Sequence, residues 1–135
     1  MKPSSAKAKG RRLQDWIVKT VHRYFPSLRE GDVRGAIMGE SGKDIVLSPL
    51  AADVIPFDIE AKNQERLNVW AALEQAESNC DLTCRVPVVI FKRNRSETYA
   101  ALPAERLFEL LATLRDYEQQ FLLMDAEASP WQPEG

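Results

Sequence analysis

The sequence predicts an α/β protein, a single domain with a small mixed sheet flanked by helices. Three observations carry that expectation. Val86-Pro87-Val88-Val89-Ile90-Phe91 is an apolar run of strand length, suited to burial on both faces. Leu13, Trp16, Ile17, Thr20, Val21 and Tyr24 recur at the spacing of one helix face. Between these two segments, short apolar runs are separated by clusters of Gly, Ser, Pro and Asn.

The elements follow in order. Residues 1–10, with Pro3, Ser4 and Ser5 among lysines, read as a flexible basic arm. The first helix starts at Arg11, and Pro26 stops it. After a turn at Glu30-Gly31-Asp32, Val33 to Met38 suits a first strand. Gly39 to Lys43 makes a turn, and Ile45-Val46-Leu47 a short strand ended by Ser48-Pro49. Val54 to Ala61 is a third strand that begins at or just after Pro56. Asn63 is a fitting N-cap for a helix to about Ser78, with Glu65 in its first turn. Trp16 and Trp70, at helical spacing, are expected in the core. Beyond Val86–Phe91, Lys92-Arg93-Asn94-Arg95-Ser96 is a polar turn and Glu97 to Leu102 a strand. Pro103 opens a last helix with Leu107, Leu110, Leu111, Leu114 and Tyr117 in one stripe. The domain is thus expected over residues 11–124, followed by an acidic, disordered tail over 125–135.

Composition excludes several classes. At 135 residues and 44% hydrophobic content, the chain can bury a core without disulfides or structural metals. No run approaches the roughly 20 apolar residues of a membrane span. No apolar segment follows the basic start, so a secretory leader is not expected and the cytoplasm is. Cys80 and Cys84, the two cysteines, and the distant His22 are too few for a zinc site, and reduced thiols are expected. The net charge of −2 hides an asymmetry that matters more for partners. Lys2, Lys7, Lys9, Arg11 and Arg12 crowd the start, while Asp116, Glu118, Asp125, Glu127 and Glu134 crowd the end.

Three polar residues stand where strands are expected. Asp44 opens one short strand; Glu60 and Lys62 lie on the next, in Asp58-Ile59-Glu60-Ala61-Lys62. Strand alternation puts Glu60 and Lys62 on one face, roughly 6.6 Å apart. If the two strands pair, Asp44 comes beside Glu60. Two carboxylates can hold Mg²⁺, a hard cation that prefers oxygen, with the Ala61 carbonyl as a possible further ligand. The lysine could orient or deprotonate a water, or neutralise charge on a phosphate. By spacing alone, a same-face Glu-x-Lys is more often a surface ion pair of little worth.

The surroundings add a resemblance. Gly42-Lys43-Asp44-Ile45, then Asp58-Ile59-Glu60-Ala61-Lys62, then a helix containing Gln75, resemble the PD-(D/E)XK nuclease superfamily. Within it the chain is similar to archaeal-type Holliday junction resolvases and related small phage-encoded endonucleases. Lys9-Gly10-Arg11-Arg12 resembles the Lys-Gly opening of the resolvases, and the similarity spans about residues 9–102. It implies a restriction-endonuclease-like αβββαβ core and a DNA endonuclease dependent on Mg²⁺, or Mn²⁺ in its place. Asp44, Glu60, Lys62 and Gln75 would be its catalytic set, and Asp44, Glu60 and Ala61 its metal ligands. It further implies a homodimer acting on branched DNA such as four-way junctions, in the bacterial host cytoplasm if phage- or prophage-encoded. Lys9, Arg11, Arg12, Arg34, Ser41, Lys92, Arg93 and Arg95 are candidate DNA contacts, supplying salt-sensitive affinity. One departure stands out. Where the resolvases place a metal-associated glutamate, this chain has Gln14, so Asp15 or Glu40 takes over or the site carries less charge. Two alternatives accompany this reading: a restriction- or repair-type nuclease of the same fold, and a non-catalytic module that binds DNA.

Overall fold

A computed structural model describes residues 3–37, 40 and 42–128. The chain divides into two units, residues 1–102 and 103–135. The first unit contains α1 (Pro3–Tyr24), β1 (Val33–Gly35), β2 (Ile45–Leu47), α2 (Pro49–Val54), β3 (Phe57–Asn63), α3 (Val69–Ser78), β4 (Val86–Lys92) and β5 (Tyr99–Ala101). The second is described by α4 (Ala104–Ala128). The mixed α/β class expected from the sequence is what is found.

β3 and β4 pair in parallel, with Glu60 opposite Val89 and Lys62 opposite Phe91, and β5 pairs antiparallel with β4. β1 and β2 form a separate antiparallel ribbon that packs beside β3. Side-chain alternation sorts the strands into two faces. Ile59 and Val88 join Leu13 and Ile17 of α1 in the main core, with Ala61 and Ile90 packed against it. Val89 joins Ala72 and Ala76 of α3 on the other side, with Phe91 against them. Asp58, Glu60 and Lys62, at alternate positions to Ile59 and Ala61, therefore belong to the α3 side.

Several boundaries differ from expectation, each for a local reason. α1 begins at Pro3, eight residues before the expected start at Arg11. Proline at a first helical position forfeits no bond, and Ala6, Lys7 and Ala8 favour helix. Lys9, Leu13 and Ile17 then form the buried stripe, four residues apart. β3 runs on to Asn63, still in register with Lys92, so the cap of α3 falls to Asn68, whose side chain accepts from the Ala71 N–H. α2 was not expected; Ser48 caps it, accepting from Ala51 N–H, and Pro49 fills its first position. β1 and β5 are shorter than expected, and Met38, at the expected end of β1, lies outside the described residues. Trp16 and Trp70 are not core residues: they are 46% and 79% exposed. In α3 the small Ala72 and Ala76 meet the sheet, which turns Trp70 outward.

Arg85 ties the first unit together. Its Nε donates to Asp58 Oδ1 at 2.7 Å, and its terminal nitrogens donate to the carbonyls of Ala52, Ile55 and Phe57. One guanidinium thus joins the end of α2 to the start of β3. Lys43 Nζ reaches the other Asp58 oxygen at 3.1 Å, so a carboxylate only 4% exposed faces two cations. Replacing Arg85 with Met should cost about 3–5 kcal/mol, because it strands a buried charge. In urea denaturation the Asp58→Asn, Arg85→Met double variant should lose less than the sum of the single losses. Simple additivity would contradict this pairing.

Candidate active site

Glu60 lies in the middle of β3 and is 1% exposed. Its Oε1 accepts from Asn79 Nδ2 at 2.9 Å, and its Oε2 is buried without a partner. Asn79 is the C-cap of α3, so the helix end delivers a side-chain amide to the strand. Asp44, just ahead of β2, reaches the same place from the other side. Its Oδ2 accepts from the Ala61 N–H at 2.7 Å. The expected convergence of Asp44 and Glu60 is present, although β2 lies beside β3 without joining its ladder. The N–H and C=O of one strand residue point to the same strand edge, so the Ala61 carbonyl faces the Asp44 side as well. Lys62 follows on the same face, half-buried, and its charge acts on Glu60.

The electrostatics of this group are unbalanced. Burial pushes the Glu60 carboxyl up from its ordinary value to about 7. The Asn79 hydrogen bond works against that rise; the negative charge of Asp44 adds to it, and Lys62 pulls it down. Asp58, two residues away on the same face, has two cations, whereas Glu60 has one amide and a second acid. A buried carboxylate oxygen without a partner is costly and invites a positively charged ligand. Asp44, Glu60 and the Ala61 carbonyl offer the oxygen set that a divalent hard cation takes. Among the described residues, no group of three or more Asp, Glu, His or Cys gathers around such a site.

The remaining candidates are distributed unevenly. Gln75 is exposed on α3, and Asn79, one helical turn later, supplies the amide at Glu60. The sequence signal for Asn79 was its place just past a helix end, with i, i+3 spacing from the buried Ala76. Gln14 abuts Gly35: a Cβ on Gly35 would come within 2.6 Å of the Gln14 Oε1. Asp15 is exposed. Glu40 is held by Arg34 through two hydrogen bonds of 3.0 and 2.9 Å and by the Ile37 N–H, which lower its carboxyl to about 2. Arg34 and Glu40 are therefore occupied with each other.

Lys9 is buried, with its Nζ 3.6 Å from Glu65 and its carbonyl accepting from Asn63 Nδ2, so its ammonium is not presented at the surface. Arg11 and Arg12 are exposed on α1, and Arg12 lines one cleft with Lys92, Trp16 and Asn63. Arg93 and Arg95 are exposed in the β4–β5 turn. Ser96 and Glu65 brace that turn by accepting from the N–H groups of Arg93 and Asn94. Ser41 lies outside the described residues. Cys80 and Cys84 are free thiols, and burial raises the Cys80 thiol to about 11.

Residues 8–128 match the family model described as "Phage putative PDDEXK endonuclease". The chain belongs to this family. The match spans both units and supports the PD-(D/E)XK resemblance over residues 8–128. No curated protein and no solved structure gives a significant match. No described helix of this endonuclease family member is long and apolar enough to cross a membrane.

The raised Glu60 carboxyl has a consequence for stability. The folded state holds this proton more tightly than the unfolded chain. The unfolded carboxyl therefore ionises first as pH rises, and the fold loses stability between about pH 4.5 and 7. In EDTA, Glu60→Gln should thus be more stable than the parent at pH 8, with the difference shrinking as pH falls through 7 towards 4.5. Urea denaturation at the two ends of that window reads it. A difference independent of pH would contradict the assignment.

Proposed function

We propose that this chain is a divalent-metal-dependent DNA endonuclease with Asp44, Glu60 and Lys62 as its centre. The observation that carries this reading is the Glu60 carboxylate: buried, unpartnered at Oε2, beside a second acid and a lysine. Such an arrangement weakens the empty fold, and a cation between the acids would relieve it. Membership of an endonuclease family supports this reading.

Asp44, Glu60 and the Ala61 carbonyl would hold Mg²⁺, with Mn²⁺ able to substitute. The bound ion would supply Lewis acidity and a water of lowered pKa. Asn79 fixes the rotamer of Glu60 and leaves Oε2 free for the ligand. The Ala61 N–H fixes Asp44 in the same way. Lys62 places a positive charge on the face where a scissile phosphate would lie, orienting the attacking water or offsetting charge on the phosphate. Arg11, Arg12, Lys92, Arg93 and Arg95 would carry the salt-dependent part of DNA affinity. The similarity to junction resolvases supports branched DNA as substrate and a homodimer as the acting form, since a four-way junction presents two symmetric strands.

A second reading keeps the fold and drops the catalysis. It is favoured by Gln14, a neutral amide packed at Gly35 where the resolvases carry an acid. One experiment separates the readings: cleavage of labelled four-way junctions, flaps, single strands and plain duplex with Mg²⁺. The parent chain should cut the junction, Glu60→Ala should not cut, and Lys62→Ala should be slower by roughly 10²–10³-fold. Preference for plain duplex would reject the resolvase reading. DNA binding in EDTA without cutting under any metal would reject catalysis.

A further inference from the structure

The second unit, as described, is one helix, and a helix alone has no layer against which to bury an apolar face. α4 nevertheless carries a regular one. Leu107, Leu110, Leu114, Tyr117, Phe121 and Met124 follow each other at intervals of three, four, three, four and three residues. That is the a/d repeat of a coiled coil, whose 3.5-residue period keeps one seam facing a partner helix. Leu114, Tyr117, Phe121 and Met124 are each more than half exposed. The repeat holds for the length of an ordinary interhelical contact, and no polar residue interrupts it.

We propose that α4 is a self-association surface, and that its partner is the α4 of a second copy of this chain in a parallel, in-register pair. The residues flanking the seam set the direction. In parallel pairing, Thr113 of one helix faces Glu118 of the other, and Gln120 faces Asp125, so an uncharged side chain meets each acid. Antiparallel pairing instead sets the row of Leu111, Glu118 and Asp125 against itself, so that each acid meets another acid or a leucine. The area is on the scale of a small interface. Leu114, Tyr117, Phe121 and Met124 are each more than half exposed and Leu107 is 44% exposed, while Leu110 is partly buried. The seam with its flanking Leu111, Glu118 and Gln120 offers roughly 600 Å² against the roughly 800 Å² per partner of a standard interface. Arg106–Glu109 and Arg115–Glu118 pair along the helix itself, which leaves the seam free of intrahelical ion pairs. An identical stripe on each copy also makes the contact closed and two-fold rather than open-ended. The inference stands on α4 alone and does not require the nuclease reading.

The test is the mass of the full-length chain in solution, by sedimentation equilibrium from 1 to 100 µM. The parent should be a dimer over the upper part of that range. Leu114→Glu, Phe121→Glu should be a monomer throughout, with an unchanged thermal transition of the first unit. If that double variant fails to fold, Tyr117→Lys, at an exposed seam position, should weaken the dimer at least tenfold. A Met124→Cys variant lacking Cys80 and Cys84 (both replaced by Ser) should form an intermolecular disulfide on mild oxidation. A monomeric parent, or a dimer untouched by the seam substitutions, overturns the proposal; a dimer lost with them but without the Met124→Cys cross-link overturns its parallel register. Because mass is read separately from cleavage, failure here leaves the proposed chemistry of Asp44, Glu60 and Lys62 untouched.

Discussion

The structure depends on how one strand face carries two buried carboxylates. Asp58 and Glu60 stand two residues apart on the same side of β3, and each is less than 5% exposed. Burying an ion costs several kcal/mol unless a partner offsets it. At Asp58 two cations offset the charge: Arg85 hydrogen-bonds one oxygen, and Lys43 stands 3.1 Å from the other, which accepts no hydrogen bond. Arg85 also gathers three carbonyls around the entry to the strand. At Glu60 the offset is partial. One amide supports it, a neighbouring acid opposes it, and one oxygen has no partner. The first carboxylate holds the fold; the second leaves it incomplete.

That contrast explains why the surrounding elements sit where they do. The parallel pairing of β3 and β4 leaves the opposite edge of β3 open, and Asp44 occupies it by accepting from the Ala61 N–H. The same edge presents the Ala61 carbonyl, so the backbone contributes to the site through the register of the strand rather than through a side chain. α3 ends beside Glu60 because Ala72 and Ala76 let it lie close on Val89. Its C-cap Asn79 thereby reaches the strand. Packing of two alanines on a valine positions the amide that orients the acid.

Much of this was legible from residue order and much was not. The apolar run at Val86 identified the central strand because burial on both faces requires uniform apolarity. Asp44, Glu60 and Lys62 were visible because strand alternation is strict, and a carboxylate in an apolar run is anomalous. Asn79, Arg85 and Lys43 were not, since their partners lie 19, 27 and 15 residues away along the chain, and no local pattern encodes such contacts. The beginning of α1 was misplaced because Lys9 reads as a solvated charge, whereas Glu65 and Asn63 draw it inside. Trp70 was misplaced because size suggests burial, while the close approach of α3 to the sheet favours Ala72 and Ala76; Trp16 was misplaced because Lys9, Leu13 and Ile17 form the buried stripe of α1 instead. The Gln14 substitution was read from sequence, and the structure adds that its amide fills the space left by Gly35.

The central claim is that Glu60 holds a proton in the empty fold and gives it up to a divalent cation. Calorimetric titration of the chain with Mn²⁺, in two buffers of different ionisation enthalpy, counts that proton. At pH 6 binding should release close to one proton, and at pH 8.5 almost none, while Glu60→Gln should bind far more weakly and release none at either pH. Absence of Mn²⁺ binding would contradict the account. So would binding whose affinity and proton release are unchanged in Glu60→Gln.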